Sequence, residues 1–254
     1  MKVPILAYHK ISDDFDWGIT AVSKKAFEAQ IKYLFENNFQ TISIHQYLNK
    51  FGNLNTRQRP VIITFDDADE SVFNAAFPIL KKYQYHASVF VISNFIGKIN
   101  SWDANLFRRY SKHLSRQQLK ELTTAGWEIG SHTASHPDLT RLSEQQLINE
   151  LENSKKLIAD LIQKPVDYIA YPFNRFNPRV LQMAQKIGYR AGFALSIRPD
   201  VDQLLLNFAI PRIGVYSIDG LTNFRKKLSF SKFEIRKQKW INYFSIGTIW
   251  YKRL

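Results

Sequence analysis

The stretch Val61–Phe73, VIITFDDADESVF, decides the reading of this chain. A run of apolar and β-branched residues, Val61 to Phe65, stops at two adjacent aspartates, Asp66 and Asp67. An unbroken run of that kind fits a strand covered on both faces, as the strands of a parallel sheet are. Successive strand residues point to opposite faces, so neighbouring carboxylates belong at a strand mouth, where the chain has begun to turn.

Six further segments read as strands: VPILAY (3–8), ASVFVIS (87–93), WEIG (127–130), VDYIAY (166–171), YRAGFAL (189–195) and FAIPRIGVY (208–216). Helical patterns lie between them. Phe27, Ile31, Leu34 and Phe35 recur at helical spacing after Ser23, and Leu147, Leu151, Ile158 and Leu161 do so after a Ser143-x-x-Gln146 capping box. Ser115-x-x-Gln118 opens another helix that ends near Gly126. Strands alternating with helices over 254 residues predict one main α/β domain on a mostly parallel sheet, open or closed into a barrel.

Four polar groupings fall at the C-terminal ends of these strands. His9 follows ILAY, Asp66–Asp67 follow VIITF, SHTASHP (131–137) follows WEIG, and YPFN (171–174) follows DYIA. Loops converge over that edge in parallel α/β folds, and sites are built there. Taken singly, a His-x-x-x-His spacing is often incidental and Asp-Asp pairs often cap helices. Their coincidence at one edge is what points to chemistry.

The chain has no cysteine, so a metal would have to be held by histidines and carboxylates. His132 and His136 with one aspartate form a His₂-carboxylate set, which leaves a position open for water on Zn²⁺ or a similar ion. The other aspartate is then available as a general base, and His9, on another strand end, as a general acid.

TFDDA, SHTASHP and YPFN resemble the first three motifs of the polysaccharide deacetylases, the NodB-homology family of metal-dependent carbohydrate esterases. ILAYHKI resembles the permuted branch that includes poly-N-acetylglucosamine deacetylases, in which the catalytic-acid histidine comes first. The resemblance covers roughly Val3 to Tyr216. It implies a deformed (β/α) barrel with about seven parallel strands and removal of acetyl from an N-acetylhexosamine, in a glycan or lipid-linked saccharide of cell-envelope polysaccharide or lipopolysaccharide biosynthesis. By the same resemblance Asp66 is the base and His9 the acid, while Asp67, His132 and His136 bind the metal, with Zn²⁺ expected before Co²⁺ or Ni²⁺. Phe173 falls where a backbone N–H stabilises the oxyanion, and Tyr171 and Phe173 would line the sugar pocket.

The family's glycine after the paired aspartates is Ala68 here, and another common glycine is Asn174. A clear copy of the arginine that precedes the Pro-aromatic pair is missing, as is the motif with Asp and Trp. Arg212 and Arg175 are the candidates for orienting the base.

Net charge is +13, and it is uneven. Arg225 to Leu254 holds nine Lys or Arg against Glu234 alone, or +8, leaving +5 for the first 224 residues. Trp240, Tyr243, Phe244, Trp250 and Tyr251 are interleaved with that charge, a mixture suited to an anionic bilayer surface or to a closing element of the barrel. The chain therefore divides into a catalytic domain, 1–224, and a basic aromatic tail, 225–254. No run reaches the roughly 20 apolar residues of a spanning helix, and MKVPILAYHKIS is too brief for a signal sequence. These features predict a cytoplasmic location, peripheral on the inner face of the membrane if the tail binds lipid. A nucleic-acid partner is disfavoured because no recognised motif accompanies the charge. The alternative to an enzyme is a non-catalytic glycan- or membrane-binding protein on the same fold.

Overall fold

The computed structural model describes residues 3–13, 19–49, 58–101, 111–195, 202–231 and 240. Strands are β1 (Ile5–Tyr8), β2 (Lys10–Ile11), β3 (Ala21–Val22), β4 (Phe39–Thr41), β5 (Arg59–Phe65), β6 (Ser88–Val91), β7 (Glu128–Ser131), β8 (Tyr168–Ala170), β9 (Ala191–Ala194), β10 (Ile210–Pro211) and β11 (Ile213–Gly214). Helices are α1 (Lys24–Glu36), α2 (Ile44–Leu48), α3 (Phe77–Lys82), α4 (Arg116–Thr124), α5 (Glu144–Ile162), α6 (Pro178–Lys186) and α7 (Leu221–Leu228).

The main sheet is parallel and runs β10-β9-β8-β7-β6-β5-β1-β11, with β4 added on β5. The sequence offers 208–216 as one strand. In the structure it is two, separated by Arg212 alone, and they pair with opposite edges: Ile210 with Phe193 of β9, and Ile213 with Leu6 of β1. This segment therefore brings the sheet round on itself as a nearly closed barrel of eight strands, or seven if the interrupted segment is counted once. The deformed parallel barrel expected from the motifs is what the chain forms.

Two apolar layers follow from strand alternation. Ile5, Ile62, Phe90, Tyr168, Ala170, Phe193 and Ile210 fill the barrel interior, while Leu6, Tyr8, Ile63, Phe65, Val89, Val91 and Ile169 pack outward against the helices. The interior is narrow. A Cβ on Gly130 would lie 2.6 Å from the Phe90 ring and 3.0 Å from the Tyr168 carbonyl, so only glycine admits that ring between β7 and its neighbours.

The helices start where short polar side chains cap them. Ser23 accepts from the Ala26 N–H at 3.2 Å, and Ser115–Gln118 and Ser143–Gln146 form reciprocal capping boxes. A third box, Ser43–Gln46, opens α2. The pair β2–β3 and the short β4 are further additions to the elements read from sequence.

Helix α7 runs across the boundary drawn at residue 224 because its inner face is part of the core: Phe224, Lys227 and Leu228 are buried. Lys227 donates to the Gly214 carbonyl at 2.7 Å and to the Asp219 carboxylate, so one of the nine basic residues counted in the tail is an interior ion pair. Beyond Ser231 only Trp240 is described, and the rest of the basic aromatic pattern lies outside the described residues. Among the described residues no helix is long and apolar enough to cross a membrane.

Candidate functional site

Strand alternation carries Asp66, His132 and Arg212 into the mouth of the barrel. Asp66 continues the inward face of Ile62, His132 that of Gly130, and Arg212 that of Ile210. Asp66 is buried, and its N–H is held by the Tyr8 carbonyl at 2.9 Å. The Arg212 guanidinium meets it as a fork: Nη1 donates to Oδ1 and Nη2 to Oδ2, both at 2.7 Å. Nη1 also donates to Thr64 Oγ1 at 3.0 Å, and Thr64 in turn donates to the Leu6 carbonyl. Burial opposes ionisation of Asp66, but the charges of Arg212, His132 and His9 outweigh it and hold its carboxyl below the usual range.

Asp67 would face the opposite side of the sheet if the strand continued. Instead Asp67 and Ala68 both adopt left-handed backbone, with φ of 66° and 55°. That turn keeps both carboxylates at the mouth. For non-glycine residues it costs on the order of 1–2 kcal/mol each. Ala68 thus takes the conformation that glycine would take freely, and Asn174 does likewise at φ 54°. Left-handed Thr133, His136 and Phe173 complete a cluster of strained positions around one site.

Asp67 Oδ1 lies 3.4 Å from His132 Nε2 and 3.4 Å from His136 Nε2, and the three ligand atoms all fall within 4.8 Å of one another. Donors bound at about 2.0–2.1 Å to one tetrahedral ion are separated by roughly 3.3–3.4 Å. The donor chemistry agrees with that spacing. His132 Nδ1 must carry its proton, because it donates to the Ala170 carbonyl at 2.8 Å, which leaves the Nε2 lone pair facing Asp67 in the neutral ring. Asp67 Oδ1 is buried and makes no hydrogen bond among the described residues. A buried carboxylate oxygen facing two imidazole nitrogens is satisfied by a cation between them, so the residues present fit a divalent metal. Burial disfavours the charged forms, yet the histidines hold the Asp67 carboxyl far below its usual range, while Asp67 and Asp66 raise His132. The cluster draws positive charge, as a proton or as an ion.

Helix α5 shapes the histidine loop. Glu150 accepts from the N–H groups of Ala134 and Ser135, at 2.9 and 2.8 Å, and from the Ser135 hydroxyl. Ser154 bonds Ser131 Oγ at 2.8 Å and donates to the Thr133 carbonyl at 3.0 Å. Thr133 Oγ1 accepts from the His136 N–H at 3.0 Å. Small hydroxyl residues thereby add to the main-chain bonds that this buried loop receives from Ser93 and Asn94, whose N–H groups donate to the Thr133 and Ala134 carbonyls.

His9 stands at the same mouth, close enough that its charge acts on both Asp66 and Asp67. Its Nδ1 is buried and makes no hydrogen bond among the described residues. The Phe173 ring packs edge-on to His136, centroid to centroid 4.5 Å, which brings the YPFN loop to the site. Tyr171 goes elsewhere. It has the outward parity of Ile169, and its ring is buried against Phe176 at 5.4 Å with its hydroxyl over Gly192, so it does not line a sugar pocket. Of the two arginines offered for the base, Arg212 reaches it; Arg175 meets Asp138 instead, at 3.4 Å. Glu150 and His113, which supports the Asp67 turn, carry no motif and were not anticipated.

A family model described as polysaccharide deacetylase matches residues 53–192. YxkH of Bacillus subtilis (strain 168) is 35% identical over 192 residues, covering 75% of this chain and 63% of that protein. A poly-beta-1,6-N-acetyl-D-glucosamine N-deacetylase of Staphylococcus aureus (strain MRSA252) is 30% identical over 205 residues, covering 76% of this chain and 67% of that protein. The chain thus spans about two thirds of the length of these relatives. Among solved structures, the Streptococcus pyogenes deacetylase PplD in complex with acetate aligns with a TM-score of 0.76 at 24% identity, over 90% of this chain and 98% of that one. At that identity the likeness speaks to the fold.

Proposed function

This chain belongs to the polysaccharide deacetylase family, and from that membership we propose that it is a metal-dependent hydrolase releasing acetate from an N-acetylhexosamine in a glycan or lipid-linked saccharide. The observation that carries the reading is the placement of Asp66: an ionised, Arg212-held carboxylate beside the Asp67–His132–His136 cluster. A structural ion pair would not need an adjacent metal set. The name of the Staphylococcus aureus relative supports an acetylated amino sugar as substrate.

Asp67, His132 and His136 would hold the metal, Zn²⁺ in the first instance and otherwise Co²⁺ or Ni²⁺. When bound, such an ion polarises the amide carbonyl and makes water at the site more acidic. Asp66 takes the proton from the attacking water as its oxygen bonds to the carbonyl carbon. Arg212 keeps that carboxylate ionised and fixes the direction of its lone pairs. The Phe173 N–H is the donor proposed for the oxyanion. His9 gives a proton to the amide nitrogen as the C–N bond breaks, so that acetate and a free amine leave.

The setting proposed is cell-envelope glycan synthesis, with the basic aromatic tail of 225–254 holding the protein to the inner face of an anionic membrane. Mass spectrometry of acetylated oligosaccharides incubated with the metal-loaded protein is the direct test. Loss of one acetyl per reacted sugar is the expected product. No acetate release from any N-acetylhexosamine oligomer, with the metal bound, would leave the alternative of a non-catalytic glycan-binding protein.

A further inference from the structure

Two consecutive non-glycine residues, Asp67 and Ala68, stand in left-handed backbone, and one of them presents the carboxylate of the ligand cluster. Aspartate tolerates that conformation better than most residues but alanine does not, so the second position needs support from outside the turn. The segment 111–114 gives it. His113 pairs with Asp69 as an antiparallel bridge, the Glu70 N–H donates to the Lys112 carbonyl at 2.8 Å, and the Leu114 N–H donates to the Ala68 carbonyl at 2.8 Å. The Asp67 carbonyl is taken by a side chain: His113 Nδ1–H donates to it at 2.7 Å.

His113 is itself fixed. It is buried, its N–H donates to the Lys98 carbonyl at 2.9 Å, and its ring lies 5.6 Å from that of Phe95. Main-chain bonds of the bridge are available to any sequence. The imidazole bond to the Asp67 carbonyl depends on this residue alone, and it grips the peptide next to the carboxylate whose direction matters.

We propose that His113 is a positioning residue for Asp67, holding the left-handed turn so that Oδ1 faces His132 and His136. The proposal rests on the metal-site reading given above, and it is separable from the hydrolytic one because its readouts are metal affinity and backbone exchange.

The experiment compares His113→Asn, His113→Leu and the parental chain, each also with Ala68→Gly. Asn places an amide N–H near the position of Nδ1, whereas Leu fills volume without a donor. Zn²⁺ affinity is measured by chelator competition, and hydrogen exchange of the Leu114 amide is followed in metal-free protein. Loss of an outer support for a ligand is worth about 10- to 100-fold in metal affinity. His113→Leu should show that loss together with faster exchange at Leu114, and His113→Asn should restore affinity to within about threefold. Ala68→Gly should shrink the loss, since a turn that glycine adopts freely needs less holding. Full Zn²⁺ affinity in folded His113→Leu overturns the proposal. So does equal weakening by Asn and Leu, which would give the role to ring packing on Phe95. Should His113→Leu not fold, the His113→Asn and Ala68→Gly arms decide by the same criteria. Should the parental chain bind no Zn²⁺, the metal reading falls, and unchanged Leu114 exchange in the variants would sink the brace as well.

Discussion

Arg212 and Asp66, 146 positions apart in the chain, meet through both terminal guanidinium nitrogens and both carboxylate oxygens at 2.7 Å. The residue that orients the proposed base is also the one that joins β10 to β11 and so completes the barrel.

Arg212→Met leaves Asp66 buried without its counter-charge, which costs about 3–5 kcal/mol of stability. Deacetylation should fall by about 10²-fold or more, since the base loses both its ionised state and its orientation. Zinc content should be nearly unchanged. Chemical denaturation, initial rates and elemental analysis check the three parts, and a variant with parental rates would remove Arg212 from the mechanism.

The three ligand substitutions, Asp67→Ala, His132→Ala and His136→Ala, should each strip most of the metal, because a three-residue set retains little affinity with two. Chelation of the parental protein should abolish turnover, and added Zn²⁺ should restore it. Full occupancy in all three variants, read by elemental analysis, would contradict the assignment.

Asp66→Asn and His9→Ala should keep the metal and lose about 10² or more in kcat, the usual worth of a positioned base or acid. The pair is informative together, since Asp66 touches Arg212 and Thr64 is next to it, whereas His9 Nδ1 makes no hydrogen bond among the described residues. Asp66→Asn should therefore also lower stability and His9→Ala should not. Near-normal rates in either variant would exclude that residue.

Ending the chain after Ser231 removes the basic aromatic tail while keeping the buried face of α7, including Lys227. The shortened protein should fold and hydrolyse a soluble oligosaccharide at the parental rate. Only the full-length chain should sediment with anionic liposomes at low salt, each basic residue near the surface contributing on the order of 1 kcal/mol. Full-length protein left in the supernatant would end the membrane proposal.

What sequence made legible follows from how local each signal is. Val61–Phe65 is buried on both faces, so its continuous apolar run marked a parallel strand, and the abrupt Asp66–Asp67 marked its mouth. Ser115 and Ser143 cap α4 and α5 through residues three positions on, a distance that pattern reading covers. The split at Arg212 was not legible, because IPRIG reads as one strand whether its halves pair with one neighbour or with two opposite edges. Tyr171 was misplaced by proximity to Pro172 and Phe173; its parity with Ile169, readable in the sequence, sends the ring outward. His113 and Glu150 act through main-chain atoms of distant loops, and such contacts leave no spacing to recognise.

The joint at Arg212 also orders the birth of the molecule in time. Strand β1 is translated first yet lies between β5 and β11, so one of its edges stays open until residues 213–214 exist. With synthesis at about 5–20 residues per second, the 146 positions from Asp66 to Arg212 take roughly 7–30 s to make. Through that interval a nascent chain carries an apolar interior on an unclosed sheet and a carboxylate awaiting its guanidinium. A chain ending upstream of Arg212 would therefore lack both the segment that joins the two sheet edges and the guanidinium that pairs with the buried Asp66 carboxylate.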